Sequence, residues 1–465
     1  MNITFWGAAG SVTGSCTYVE TDGGKLLIDC GLVQERKFQE RNWADFPVDP
    51  AALDAVILTH AHLDHCGLLP RLVAQGFKGR IYATEASADI AAVILRDSAR
   101  LQQEDLRQKQ KRHAASGKQP SHPYRTLYTL DDAEDAIQQF ATVRFEQPVE
   151  VLPGVKALWY EAGHILGAAS VRLEVAQAGG SRSLLFSGDV GRKDMPLIRD
   201  PVTPHGAEVL ILESTYGNRD HENEVKIADQ LAEVVNATFE AGGNLVIPSF
   251  AVERAQDLLF HFTRLLRAKQ IPPMMVFLDS PMAVRVTEIF KRHEDLFDDK
   301  TRAMLAHGTH PVDFPGLKMA RTREQSKAIN QIRGTVCVIA GSGMCTGGRI
   351  KHHLKANLAR PESTVLFVGY QAEGTLGRAI LQKPPEVRLF GELVPVKARI
   401  AQIQGFSGHA DRNELQAWMQ ALDPQPQKVF LNHGEASVAA EFAQRLQQTS
   451  GVPCTVPSWQ ESFTL

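Results

Sequence analysis

His60-Ala61-His62-Leu63-Asp64-His65 packs four potential metal ligands into one short stretch. The apolar run Ala55-Val56-Ile57-Leu58 before it reads as a buried strand, and residues 66–73 after it read as the start of a helix. The cluster therefore belongs on a strand-to-helix turn at the C-terminal edge of a sheet. Imidazole and carboxylate together suit zinc, and ligands this dense suit two metals better than one. Further candidates stand at other strand ends. Asp29 follows Leu26-Leu27-Ile28, His164 lies in Glu161-Ala162-Gly163-His164-Ile165-Leu166-Gly167, Asp189 follows Leu184-Leu185-Phe186-Ser187-Gly188, and His433 follows Val429-Phe430-Leu431-Asn432. Any one of these alone reads as a loop residue; their joint occurrence with the cluster makes the case for a metal centre.

A chain of 465 residues is too long for one ordinary core, so two domains are expected. With 43% hydrophobic and 22% charged residues it is of globular type. A net charge of -3 excludes a bulk polycation, so any polyanion site must be a local patch. Residues 1–7 lack the basic and apolar segments of a signal peptide, and no apolar run is long enough to span a bilayer, so no membrane association is expected. Cys16, Cys30, Cys66, Cys337, Cys345 and Cys454 are scattered without a CxxC pair, which reads as reduced thiols in a cytoplasmic protein.

Short strands at 3–6, 16–20 and 25–29, separated by Gly-rich turns, predict an antiparallel meander. A helix is expected over 85–115 and a loop over 116–126. The helix's second half carries Arg96, Arg100, Arg107, Lys109, Lys111 and Arg112, which reads better as a solvated face than as an RNA-facing arm, because Glu104 and Asp105 interrupt it. Strands are expected again at 155–160, 170–175, 183–187 and 208–213. From about 216 the pattern becomes helix–strand alternation. Val225, Ala228, Leu231, Val234, Val235 and Phe239 fall at helical spacing, and strands follow at 244–248, 274–278, 335–340 and 364–369. That predicts a parallel, Rossmann-like sheet. After a strand-rich piece at 387–404, a strand at 428–431 and a helix at 435–448 end the chain. An α/β domain placed between two halves of another fits best.

The series Asp29, His60-x-His62-x-Asp64-His65, His164 and Asp189 resembles the metallo-β-lactamase superfamily. Glu213 in Leu212-Glu213-Ser214-Thr215-Tyr216-Gly217, His409 in Phe406-Ser407-Gly408-His409-Ala410-Asp411 and His433 in Leu431-Asn432-His433-Gly434-Glu435 resemble the three extra motifs of its β-CASP branch. That branch contains nucleic-acid nucleases, among them the endonuclease subunit of the cleavage and polyadenylation specificity factor, its bacterial and archaeal relatives and, more distantly, ribonuclease J. The resemblance covers essentially the whole chain. It implies an αββα sandwich formed by 1–215 and 396–465, interrupted by an inserted Rossmann-like parallel α/β (β-CASP) domain at 216–395. It also implies two Zn2+ ions. One would be held by His60, His62, His164 and bridging Asp189, the other by Asp64, His65, Asp189 and His433, with Asp29 orienting the cluster through hydrogen bonds. No expected ligand is substituted, which speaks against an inactive subunit. The N-terminal RNA-binding extension of the archaeal relatives is not seen.

Phosphodiester hydrolysis needs a nucleophile at neutral pH and relief of charge on the entering and leaving oxygens; two zinc ions about 3.5–4 Å apart can serve both. The leaving 3′ oxygen also needs a proton. His409 is the candidate general acid, with Glu213 orienting it and favouring its protonated form. The plainer alternatives are a structural loop histidine and an N-cap or salt-bridge carboxylate. In the inserted domain, Gly341-Ser342-Gly343-Met344-Cys345-Thr346-Gly347-Gly348-Arg349 lies between a strand and a helix, where backbone N–H groups can cradle a phosphate. A Gly-rich turn alone is weak evidence. Within the family, Ser342, Gly343, Met344, Thr346 and Arg349 become expected RNA-backbone contacts, joined by Arg378 in a second such turn and by Arg254. A narrow cleft walled by the inserted domain favours single-stranded RNA.

The expected function is thus a zinc-dependent ribonuclease, endonucleolytic, 5′→3′ exonucleolytic or both. The rivals are a small-molecule metallohydrolase of lactonase or thioesterase type and a noncatalytic RNA-binding subunit. Trp459 and Phe463 read either as a homodimer contact or, better, as residues packed on the protein's own sheet.

Overall fold

The computed structural model describes residues 1–116, 124–221 and 227–465. The chain divides into two compact units, one of Met1–Asp194, Asp200–Asp220 and Gly408–Leu465, the other of Met195–Arg199 and His221–Ser407.

The first unit opens with the expected antiparallel meander, β1 (Asn2–Phe5), β2 (Thr17–Thr21) and β3 (Gly24–Ile28). β4 (Ala55–Ile57), β5 (Arg80–Thr84) and β6 (Phe140–Val143) extend that sheet in parallel. β7 (Val149–Leu152), β8 (Val155–Glu161), β9 (Ala169–Gln177) and β10 (Gly180–Phe186) then start a second, antiparallel sheet, to which β11 (Val209–Glu213) adds in parallel. The second unit carries β12 (Leu245–Pro248), β13 (Met275–Asp279), β14 (Leu317–Met319), β15 (Val336–Ala340), β16 (Thr364–Phe367), the hairpin β17 (Glu386–Leu389) and β18 (Glu392–Pro395), and β19 (Arg399–Gln402). On returning to the first unit, β20 (Lys428–Asn432) pairs in parallel with β11 and with β21 (Cys454–Thr455), while β22 (Glu461–Thr464) crosses to pair antiparallel with β1.

The two sheets of the first unit stack because their strands alternate apolar residues between faces. Leu184, Phe186, Ile211 and Phe430 point into a core shared with Ile3, Phe5, Leu26, Ile28 and Ile57. Their neighbours Leu185, Leu210, Leu212, Val429 and Leu431 point the other way, onto Leu415, Trp418, Phe442 and Leu446 of the helices Arg412–Gln420 and Ala436–Ser450. Helix Glu85–Ser116 packs on β5 and β6 of the first sheet. The layers are therefore helix, sheet, sheet, helix. In that long helix Arg96 forms a two-pronged pair with Glu134, in keeping with a solvated face. The loop expected at 116–126 falls mostly outside the described residues, as does Val225.

In the second unit the order β14-β13-β15-β12-β16-β19 is parallel throughout, as the helix–strand alternation predicts. β19 pairs with β16, so the chain leaves this unit after Ser407 and not at the expected 395/396. The entry falls at 220/221 against an expected 215/216. Among the described residues no helix is long and apolar enough to cross a membrane.

The C-terminal aromatics pack on their own sheet. Phe463 lies 4.7 Å from Phe430 and 6.0 Å from Phe5 between ring centroids, and Trp459 Nε1 donates to Trp6 O at 2.6 Å. Phe463→Ala should therefore lower the unfolding free energy by about 2 kcal/mol, read by chemical denaturation, with the mass in sedimentation unchanged. A halved mass would assign the ring to a dimer contact instead.

Candidate metal centre

The expected ligands stand just beyond the C-terminal ends of strands. Asp29 follows β3, His60 follows β4, His164 follows β8, Asp189 follows β10 and His433 follows β20. Parallel pairing of β3 with β4 and of β10, β11 and β20 brings those ends to shared edges. Asp64 and His65 ride on a single helical turn, Leu63–Cys66, with His62 as its N-cap, so the helix begins one turn earlier than the expected Cys66. Glycines let the loops close. A Cβ on Gly191 would lie 1.7 Å from Gly163 O, and one on Gly31 would lie 1.7 Å from Asp64 O. Asp29 and His433 adopt φ of 59° and 53°, a left-handed conformation that non-glycine residues hold only where surrounding structure imposes it. Here Asp29 N donates to Ile57 O and His433 N to Ala8 O.

The outer ring nitrogens are anchored and the inner ones converge. Asp29 Oδ2 accepts from His65 Nδ1 at 2.7 Å, and both Asp29 oxygens accept from Thr59, whose Oγ1 in turn lies 3.1 Å from His60 Nδ1. His164 Nδ1 donates to Gly408 O at 3.1 Å, and His433 Nδ1 lies 3.2 Å from Thr215 Oγ1. With Nδ1 held outward, each of these rings turns Nε2 to the centre, the orientation that outer hydrogen-bond partners give metal-binding histidines. Thr59 and Thr215 were not singled out from the sequence. Their only signal is adjacency to the motifs, and a threonine at a strand end reads equally as strand.

Inside, the ligand atoms of His60, His62, His164 and Asp189 lie within 4.8 Å of one another, as do those of Asp64, His65 and His433, and those of Asp189, Glu213 and His433. Burial pushes His60 and His164 well below the ordinary imidazole pKa and His62 down to about 4. Burial alone would raise Asp64, but His433 and His65 outweigh it and hold it at about 2. Two features fit a bound cation. Asp189 Oδ1 is buried with no hydrogen-bond donor among the described residues. His65 Nε2 and His433 Nε2 face each other at 3.0 Å, a line that can carry at most one proton. Neutral imidazoles and carboxylates are the donor set zinc takes.

Beside the cluster, His409 Nδ1 points at the Glu213 carboxylate (3.2 and 3.3 Å) and lies 3.9 Å from Asp189 Oδ2. Glu213 also accepts from Val190 N at 2.7 Å, which fixes its rotamer. Burial opposes charge on His409, but Glu213 and Asp189 prevail and push its pKa up to about 10.

The candidate substrate contacts lie in the second unit. Ser342, Gly343, Met344 and Thr346 share the turn after β15, where Ser342 Oγ sits 3.3 Å from Thr346 Oγ1. Arg378 is exposed in the first turn of the helix Leu376–Leu381, which follows the turn after β16. Arg349 does not offer its fork outward. It donates to buried Asp279 at 2.6 Å and to the carbonyls of Ala320 and Arg321, anchoring the turn. Arg254 is largely buried, donating to Asp257 Oδ2 at 2.9 Å and lying 5.2 Å from the Phe406 ring.

Residues 9–234 match the metallo-beta-lactamase superfamily, residues 255–380 the Beta-Casp domain, and residues 393–457 the Zn-dependent metallo-hydrolase RNA specificity domain. The chain is 37% identical over 435 residues to a ribonuclease of Thermus thermophilus, covering 94% of this chain and 93% of that one. It is 30% identical to an RNase J-like protein of Methanocaldococcus jannaschii, covering 98% and 97%. It is 31% identical to the transcription termination factor FttA of the same organism, covering 96% and 69%. A crystal structure of a protein of unknown function from Enterococcus faecalis shares the fold, with a TM-score of 0.55 at 11% identity over 100% of this chain and 99% of that one.

Because the loops carrying His164 and Asp189 touch backbone to backbone at Gly191, Gly191→Ala should cost about 1–3 kcal/mol of stability and weaken zinc uptake. Denaturant melts and metal titration read the two effects; unchanged zinc uptake would show that this contact does not shape the site.

Proposed function

The chain belongs to the β-CASP branch of the metallo-β-lactamase superfamily, and from that membership and the site's geometry we propose that it is a zinc-dependent ribonuclease hydrolysing single-stranded RNA. The observation that carries the reading is the convergence of five imidazoles, Asp64 and Asp189 beside a histidine that is paired with its own carboxylate. The ribonuclease relative and the match of residues 393–457, which span His409 and His433, to an RNA specificity domain support RNA as substrate. Six free cysteines support a cytoplasmic setting.

His60, His62, His164 and Asp189 would hold one zinc, and Asp64, His65, His433 and the same Asp189 a second. Bound there, zinc supplies an activated water and neutralises charge on the scissile phosphate. Asp29 orients His65 directly and His60 through Thr59, so that both rings turn Nε2 inward. His409, with Nδ1 on Glu213, presents Nε2 as a general acid and gives the leaving 3′ oxygen its proton. The products are then a 5′-phosphate and a 3′-hydroxyl. Glu213 maintains the charge and direction of that ring.

End-labelled single-stranded RNA, incubated with zinc or with chelator, tests the proposal. Metal-dependent internal fragments from 5′-hydroxyl and 5′-phosphate strands alike mean an endonuclease, and mononucleotide release that needs a 5′-phosphate means a 5′→3′ exonuclease. No metal-dependent cleavage of either strand would overturn the reading. Asp189→Ala should lose zinc and activity together, whereas His409→Ala should keep zinc and lose about 10²–10⁴-fold in turnover. Full turnover in His409→Ala would remove the acid role. Glu213 raises the His409 pKa, so Glu213→Gln should move the alkaline limb of the pH–rate profile to lower pH; an unmoved limb would detach Glu213 from the proton.

A further inference from the structure

The parallel sheet of the second unit changes direction between β12 and β16. From β12 the chain runs toward β13 and β14, and from β16 it runs toward β19 on the other side. Crevices at the carboxyl ends of strands at such a point are where open α/β sheets take ligands. β15, β12 and β16 lie side by side, and each ends in a loop at that edge. Two of those loops raise a large aromatic into solvent: Phe250, just after β12, is 42% exposed, and Tyr370, just after β16, is 61% exposed.

Scattered exposed aromatics need no explanation, but Phe250 sits on a built support next to the Tyr370 turn. The Phe250 ring lies against Gly343, where a Cβ would come within 2.8 Å of it, and 3.7 Å from the corresponding position of Gly369. Any side chain at Gly343 would displace the ring. The two Gly-rich turns are themselves stitched together. Buried Gln371 donates from Nε2 to Gly343 O at 2.9 Å and to Gly369 O at 3.3 Å, and Gly377 N donates to Met344 O at 3.1 Å. Gln371 Oε1 is buried without a hydrogen-bond partner among the described residues. One side of Phe250 thus rests on the backbone of two glycines while the residue stays 42% exposed, and exposed Arg378 stands in the helix Leu376–Leu381 after the Tyr370 turn.

We propose that Phe250 and Tyr370 form a nucleobase-stacking platform in the second unit, gripping single-stranded RNA by its bases while the glycine-rich turns meet its phosphates. The platform rests on the reading of the chain as a ribonuclease. Every base has a π-face, so the grip is indifferent to sequence, and a base already paired in a duplex cannot use it. It therefore assigns a strand preference to two side chains.

The test uses the full, zinc-loaded chain and a phosphorothioate-linked RNA that resists hydrolysis, carrying 2-aminopurine, beside an abasic strand of equal length and charge. The native protein should quench the 2-aminopurine and bind the base-bearing strand roughly tenfold or more tightly than the abasic one. The double variant Phe250→Ala/Tyr370→Ala should lose the quench and that margin, while its affinity for the abasic strand and the salt dependence stay unchanged. Phe250→Trp and Tyr370→Phe should keep both. A double variant that still quenches and discriminates overturns the platform and leaves the ribonuclease reading standing. Equal weakening toward both strands also overturns it, since that is the mark of a merely structural role. Native protein that binds neither strand overturns the ribonuclease reading itself.

Discussion

Asp189 is a carboxylate buried among imidazoles, and burying charge without compensation is expensive. His60, His65, His164 and His433 all approach it to between 3.4 and 3.6 Å, and still one of its oxygens has no hydrogen-bond donor among the described residues. The surrounding architecture serves that arrangement. Gly188 before it has a positive φ that lets the strand turn, and Gly191 after it lets the chain pass against Gly163. Two sheets must stack with their parallel strands ending at shared edges, or the ligands from β4, β8, β10 and β20 do not meet. Apolar residues on both faces of β11, β20 and the second half of β10 hold that stacking together.

A layer outside the ligands does the aiming. Asp29 and Thr59 set two rings, Gly408 O a third and Thr215 a fourth, so four imidazoles from three loops arrive with their orientations set. Gly408 stands at the point where the chain returns from the second unit, beside the proposed acid His409. The proposed acid and the candidate ligand His164 lie together there, with their rings 4.5 Å apart.

Much of this was legible in the order of residues. The His60–His65 cluster, the strand-end positions of Asp29, Asp189 and His433, and the helix–strand alternation after 216 are local patterns, and local patterns survive in a linear chain. Boundaries survived less well. β19 pairs with β16 inside the second sheet, a contact set by register and not by the residues of 396–407 themselves. Arg349 looked like a phosphate ligand because a basic residue closes a Gly-rich turn; buried Asp279, distant in sequence, claims its guanidinium. Trp459 and Phe463 left two readings, a dimer contact or, better, packing on their own sheet; β22 crosses to β1 and lays Phe463 on Phe5 and Phe430, in keeping with the second.

By itself the sequence determined the family, the layered fold class and the ligand types, because spacing within a turn and hydrophobic period are properties of neighbours in the chain. Only the tertiary structure decided which nitrogen of each imidazole faces inward, that Thr215 meets His433, and that Phe250 rests on glycines of two other loops. Those relations join residues far apart in sequence, and they exist only once burial has excluded water and left each polar group the partners that packing brings to it.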